Sequence, residues 1–244
     1  DVYKRQPEPC SFETLKEAHT EDYINKIKNK NLDKNEIRKI GFPLVDSVVR
    51  RSFIATGGTV LATKLALNYG IACNTAGGSH HATSNEGAGF CVFNDVAVAA
   101  KYLTTRGLAN RILIIDLDVH QGNGNSEIFK NDNQVFTFSM HAKVNYPAKK
   151  SVSDLDVELD EDLEDKAYLE ILKENGINYP NSFRGSDLAK VLLNEYSQFE
   201  KEELAKKDVP VSVAGRIMLK REMGKASFST IQDMTGRIQL YLRQ

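Results

Sequence analysis

The sequence predicts an α/β fold, a parallel sheet with flanking helices, followed by a separate β-meander. Three observations carry this. Ile112, Leu113, Ile114 and Ile115 form an unbroken apolar run, as in a strand buried on both faces. Strand-like and helix-like segments alternate up to about residue 140, the pattern of a sheet built with right-handed crossovers. Between residues 211 and 242, β-forming residues alternate with polar ones, and Gly215, Gly224 and Gly236 punctuate the run.

Residues 1–6 show neither apolar period nor cap. They resemble a translated sequencing adapter and are set aside as a non-native leader. Residues 11–30 read as one helix, with Ser11 as cap and Leu15, Ala18, Tyr23 and Ile27 at helical spacing. A short charged helix follows over 32–40 and ends before Pro43. Residues 46–69 predict a long helix, interrupted at Gly57-Gly58 and stopped by Gly70. Strands are expected at 71–75, 111–116 and 135–139, with helices at 92–103 and 125–130 between them. After about Lys173 the character changes. A turn-rich stretch spans 177–186, helices are expected at 188–196 and 199–206, and the meander closes the chain. The expected division is 7–172 and 173–244.

The net charge of -1 steers the chain toward no partner class. Locally, residues 211–244 carry six basic side chains against Glu222 and Asp233, which suits either an anionic partner or a solvated face. Three unpaired cysteines argue against a disulfide scaffold. No apolar run approaches the roughly 18 residues of a membrane span, and no signal-peptide pattern opens the chain. A cytoplasmic protein without membrane contact is expected.

The chemistry centres on Asp116, Asp118 and His120. At the tip of an extended strand these three project to one side. Two carboxylates and an imidazole packed beside a dry strand call for a cation, and oxygen plus nitrogen donors suit zinc or another first-row ion. Taken alone, the triplet could equally cap the following turn. His80-His81 follows a glycine pair at a second strand end and suits acid–base work near neutral pH, or a plain surface loop. Gly87-Ala-Gly89-Phe90-Cys91 permits close approach of a ligand. Gln121-Gly-Asn123-Gly forms a polar turn directly after the triplet.

Together with Phe138-Ser139-Met140-His141, these motifs resemble the histone-deacetylase superfamily in order and spacing, over about residues 7–173. The Gln-Gly-Asn-Gly form resembles its class-IV-like and bacterial branch. The resemblance implies part of an arginase/deacetylase-type sheet and a zinc-dependent hydrolysis of an acyl-lysine or other acyl-amine amide. Asp118 and His120 would be zinc ligands. His81 would be the general base toward the attacking water, with His80 its electrostatic partner, oriented by Asp116. Asn123 stands where most relatives place an aspartate, which would lower the basicity of His81. Gly89, Phe90 and Tyr146 would line a narrow substrate channel, and Asp116 and Ser139 would help hold a structural potassium ion. The family's third zinc ligand and its oxyanion tyrosine come later than the point where this sequence leaves the pattern. Weak or no zinc binding and no turnover are therefore expected.

Beyond Lys173, Ile177-Asn-Tyr-Pro-Asn-Ser-Phe-Arg184 and the segment from Val213 to Phe228 resemble the amino-terminal region of bacterial lysyl-tRNA synthetase, as do Gln232-Asp233 and residues 236–241. This implies part of an OB-fold that binds a tRNA anticodon. Phe228 would stack on a base, and Arg216 and Gln239 would read its edge; Phe228 as a core residue is the competing reading. The synthetase catalytic domain lies outside the resemblance, so no aminoacylation is expected. Two unrelated families joined without a linker point to an assembly chimera.

Overall fold

The computed structural model describes residues 5–176, 187–204, 207, 209–213, 216–223, 226–233 and 235–243. Two compact units divide the chain, the first ending at Glu170 and the second taking up at Ile171. The expectations for residues 1–4, for the 177–186 turn and for Lys225 fall outside the described residues.

The first unit opens with two short helices, α1 (Phe12–Leu15) and α2 (Glu21–Lys28), where one helix was expected. Residues 16–20 separate them because Thr20 serves as a new N-cap. Its hydroxyl accepts the Tyr23 N–H, and its own N–H donates to the Ser84 carbonyl at 2.7 Å. The α3 helix (Lys34–Ile40) starts on a capping box between Asp33 and Glu36 and stops at Gly41, whose φ is +97°. The α4 helix (Asp46–Tyr69) runs unbroken through Gly57-Gly58. Those glycines serve close approach rather than a break. A Cβ on Gly57 would collide with the Glu8 carbonyl, because the amino-terminal segment crosses α4 there and Cys10 N–H donates to the Phe53 carbonyl.

The α5 helix (Asp95–Thr105) is capped by Asn94, whose side chain accepts the Ala97 N–H at 2.8 Å. Then come β1 (Ile112–Asp116), α6 (Asn123–Phe129), β2 (Val135–Ala142) and β3 (Leu155–Leu159). The three strands form one parallel sheet in the order β1-β2-β3. The strand expected at 71–75 does not form. Ile71 is exposed, and Asn74 spends its amide on the Ala55 carbonyl and Thr59 Oγ1 of α4 instead of a ladder. The sequence reading did not place β3, whose alternating acids within an acidic stretch hide its Leu155, Val157 and Leu159.

The core gathers Leu15, Tyr23, Ile24, Ile27, Ile40, Phe93, Val98, Ile114 and Phe129. Burying each large apolar side chain contributes about 1.5–3 kcal/mol. Tyr23 also satisfies its hydroxyl inside the core, donating to the Val92 carbonyl at 2.7 Å, which fixes the chain just after Phe90-Cys91.

The α7 helix (Asp165–Glu174) spans the division between the units. The second unit holds α8 (Ala189–Tyr196), α9 (Lys201–Leu204) and an antiparallel sheet of β4 (Arg216–Met223), β5 (Ala226–Gln232) and β6 (Arg237–Arg243) in that order. Asp233 organises its last turn. One carboxylate oxygen accepts the Thr235 and Gly236 N–H groups, and the other accepts the Ala189 N–H that begins α8. These bonds lower its pKa to about 2. No helix among the described residues is long and apolar enough to cross a membrane.

Candidate active site

The site assembles at the carboxyl end of β1, where the sheet edge meets the 77–94 segment. β1 ends at Asp116, and the chain then turns instead of staying extended. Asp118 N–H donates to Asp116 Oδ1 at 3.1 Å, and His120 N–H donates to Asp118 Oδ1 at 2.8 Å. These two side-chain-to-backbone bonds fix the turn and leave Leu117 and Val119 exposed.

His80 and His81 lie side by side, ring centroids 4.0 Å apart, and both are buried. His80 Nδ1–H donates to Asp116 Oδ2 at 2.6 Å. Burial opposes a charge on His80, but the Asp116 hydrogen bond and the charges of Asp116, Asp118 and Asp95 raise its pKa overall. His81 Nδ1 faces Asn123 Oδ1 at 2.7 Å. An amide oxygen only accepts, so the proton sits on Nδ1 and the Nε2 lone pair is free. Burial, with the charge of His80 behind it, pushes the His81 pKa down to about 4. The neighbouring rings are thus driven apart, one toward imidazolium and one toward a neutral base.

Asp118 Oδ1 and His120 Nδ1 lie 2.8 Å apart, and both side chains reach solvent. Although burial works against it, the His120 hydrogen bonds and the His80 charge lower the Asp118 pKa. An oxygen and an imidazole nitrogen at this spacing suit zinc in kind. Among the described residues, however, no group of three His, Cys, Asp or Glu gathers to hold a metal ion, so the set falls one donor short of the usual three. Asp116 and Ser139 are direct neighbours across β1 and β2. Ser139 Oγ accepts the Gly122 N–H at 3.3 Å and lies 3.0 Å from His141 Nδ1.

Glycines let these pieces close on one another. A Cβ on Gly122 would strike Asp116 Oδ2, and one on Gly124 would strike the Ala82 carbonyl. Gly89, at φ +54°, leaves room for the His81 ring, whose Cδ2 lies 2.5 Å from where a Cβ would stand. Tyr146 packs edge-on against His81 at 4.8 Å and faces His120 at 6.1 Å. Phe90 is exposed, with φ +65°. Its N–H donates to the Ile40 carbonyl, and its ring stacks on Phe42 at 6.1 Å. Hydrogen bonds and ring contacts thus bring together His80, His81, Asp116, Asp118, His120, Asn123, Gly89 and Tyr146, and Phe90 adjoins them as the residue after Gly89.

Several residues that support this cluster carry no chemical signal of their own in the sequence. Phe42 is one, visible only through its stacking on Phe90. Asp95 is another: its buried carboxylate accepts the Gly78 and Ser79 N–H groups just ahead of the histidines. Asn94 and Asn125 bond to each other, and Asn94 also holds the Ala82 carbonyl.

In the second unit, Phe228 pairs in register with Tyr241 of β6 and Arg221 of β4, and its ring lies 5.1 Å from that of Tyr241. Thr230 and Gln239 pair two residues along, so Phe228, Gln239, Tyr241 and Arg221 share one sheet face. Buried Ser229 and Ile231 point to the other. Arg216 pairs with Gln232 at the start of β4; its side chain lies outside the description.

Comparison with known proteins gives two matches along the chain. Residues 1–186 match the family model described as histone deacetylase domain, and residues 211–244 match the one described as OB-fold nucleic acid binding domain. An uncharacterized protein of Picosynechococcus sp. is 50% identical over 167 residues, 68% of this chain and 56% of that protein. Lysine–tRNA ligase of Legionella pneumophila is 58% identical over 78 residues, 32% of this chain and 16% of the ligase. The solved structure of an HDAC homologue complexed with SAHA superposes with a TM-score of 0.60 at 32% identity, covering 72% of this chain and 54% of that one. The chain thus spans little more than half the length of the Picosynechococcus protein and of the HDAC homologue.

Proposed function

Because the chain belongs to the histone deacetylase domain family, we propose that its first unit is built to hydrolyse the amide of an acylated lysine or similar amine. One observation carries this reading. His81 presents a free Nε2 lone pair, held neutral beside a His80 that Asp116 favours in its charged form. Asp118 and His120 would hold zinc, which when bound supplies the electrophile that polarises the acyl carbonyl. His81 Nε2 takes a proton from the attacking water and returns it to the leaving amine. His80, anchored by Asp116, adds positive charge where the carbonyl oxygen gains negative charge. Phe90 and Tyr146, with Gly89 between, flank the acyl-bearing side chain. Asp116 and Ser139 are the proposed potassium-holding pair.

With two protein donors in place of three, we further propose weak zinc retention and negligible turnover by this chain. Metal content of the purified protein and deacylation of an acetyl-lysine peptide by wild type and His81→Ala test both parts. Close to one zinc per chain, with activity that His81→Ala abolishes, overturns the inactivity. An acetyl-lysine peptide that leaves the His81 and His120 ring signals unmoved, with zinc present, sinks the substrate class.

A second reading is favoured for the second unit by the shared face of Phe228, Tyr241, Gln239 and Arg221. Aromatic rings beside a cation suit stacked, unpaired bases, and we propose a tRNA anticodon loop as the ligand. Phe228→Ala should weaken tRNA binding by about tenfold, since stacking contributes about 1–3 kcal/mol per base. Binding that ignores both Phe228→Ala and salt concentration rules this out.

A further inference from the structure

The Gln121-Gly-Asn-Gly turn contains one side chain that the acid–base chemistry leaves unused. Gln121 is almost completely buried, at 1% exposure. Its amide is fully engaged. Oε1 accepts the Ser151 N–H at 2.8 Å, while Nε2 donates to the Ser151 carbonyl and to Asp156 Oδ1, both at 2.9 Å. Because Ser151 offers both a donor and an acceptor, only one orientation of the amide satisfies all three bonds. The partners are fixed in turn. Asp156 belongs to β3, pairs in register with Ser139 of β2, and uses its second oxygen to accept the Ser153 N–H.

The chain held this way is the loop that carries Tyr146. At its other end the Gln121 N–H approaches the Tyr146 carbonyl at 3.4 Å. Lys150 closes the loop across its middle, donating to the Asn145 and Pro147 carbonyls. Tyr146 therefore stands against His81 on a loop tied to the residue next to His120 at two points, the Tyr146 carbonyl and Ser151.

We infer that Gln121 is a positioning residue, which sets the distance between the Tyr146 wall and the His81–His120 pair and so the width of the opening between them. Its meaning for an acyl-lysine side chain rests on the deacetylase reading; the positioning itself does not. A wall set by hydrogen bonds from a buried side chain has one stable spacing, whereas a loop resting on van der Waals contact alone would slide over a solvent-exposed edge.

Gln121→Met keeps the volume and removes all three side-chain bonds. In wild type, the Tyr146 ring current shifts the His81 ring protons relative to Tyr146→Leu, which defines the signature. In Gln121→Met that shift should fall at least halfway toward the Tyr146→Leu value (about half, for a wall freed by losing bonds of about 1 kcal/mol each). Amide exchange at Ser151 should rise by about tenfold or more, with Val98 in α5 unchanged. A variant that keeps both the ring-current shift and the Ser151 protection overturns the inference. Gln121→Asn, one methylene shorter, reads the same two quantities should Gln121→Met fail to fold. Titration with an acetyl-lysine peptide separates the two claims. Peptide shifts that weaken by about tenfold in Gln121→Met support positioning of a substrate wall. If wild type shows no peptide shift, the deacetylase reading falls while ring current and exchange still decide the role of Gln121.

Discussion

Lowering the pH should unfold the first unit through His19. This ring lies between α1 and α2, 2% exposed, against Tyr23 and Phe93. Its Nε2 accepts the N–H of Asn94, the cap of α5, at 2.9 Å, which requires the neutral ring. Burial lowers its pKa to about 4, against the weaker opposing pull of the Thr83 and Ser84 backbone. An unfolded histidine titrates near 6.5, and the gap is worth about 3 kcal/mol. The folded pKa lies below the unfolded one, so the unfolded chain takes the proton first. The contribution is complete above about pH 6.5 and is lost as the pH falls toward about 4. His19→Gln keeps a polar side chain and removes the titration. Urea unfolding followed by the helical circular-dichroism signal measures both proteins between pH 7 and pH 4. The stability of wild type relative to His19→Gln should shrink by about 3 kcal/mol over that window. A difference that stays flat refutes the neutral, buried acceptor.

Four further substitutions have expected outcomes. Gly57→Ala sets a methyl against the Glu8 carbonyl and should lower stability by about 2 kcal/mol or more in thermal unfolding. Gly58→Ala meets only the Asn74 side chain and should cost less. Gly89→Ala combines φ +54° with a contact on the His81 ring; it should displace the His81 resonances while leaving helix content unchanged. Asp116→Asn removes the charge and the carboxylate bond that raise the His80 pKa, so the His80 titration followed by NMR should move to lower pH.

Local punctuation made part of this fold legible. Pro43 and Gly70 bracket α4, and the bounds expected for it, 46–69, are those observed. The apolar run ahead of Asp116 announces a strand before any partner is known, but the expected burial on both faces holds only for Ile114, while Leu113 and Ile115 are exposed. What failed to show was tertiary in origin. Thr20 becomes a cap only because Ser84 is there to receive its N–H, and Asn74 leaves the ladder because α4 offers better partners. Gly57-Gly58 reads as a break from propensity and acts as a crossing point in space. The same holds at the opening. The spacing of Asp116, Asp118 and His120 draws attention to chemistry, but the stacking of Phe42 and the grip of Gln121 on Ser151 join residues 30 or more apart in the chain. No periodicity records such pairs.

Leu113, Ile115 and Phe136 stand out into water from one face of the parallel sheet, and β1 has no strand on its outer side among the described residues. Strands of this kind are ordinarily covered above and below. An uncovered border with free amide and carbonyl groups beside oily side chains acts as an adhesive. Molecules meeting edge to edge gain ladder bonds without unfolding, so turbidity in concentrated samples should rise with the square of concentration and precede any loss of helix. Replacing Leu113 with lysine would place a charge on that border and keep the solution clear.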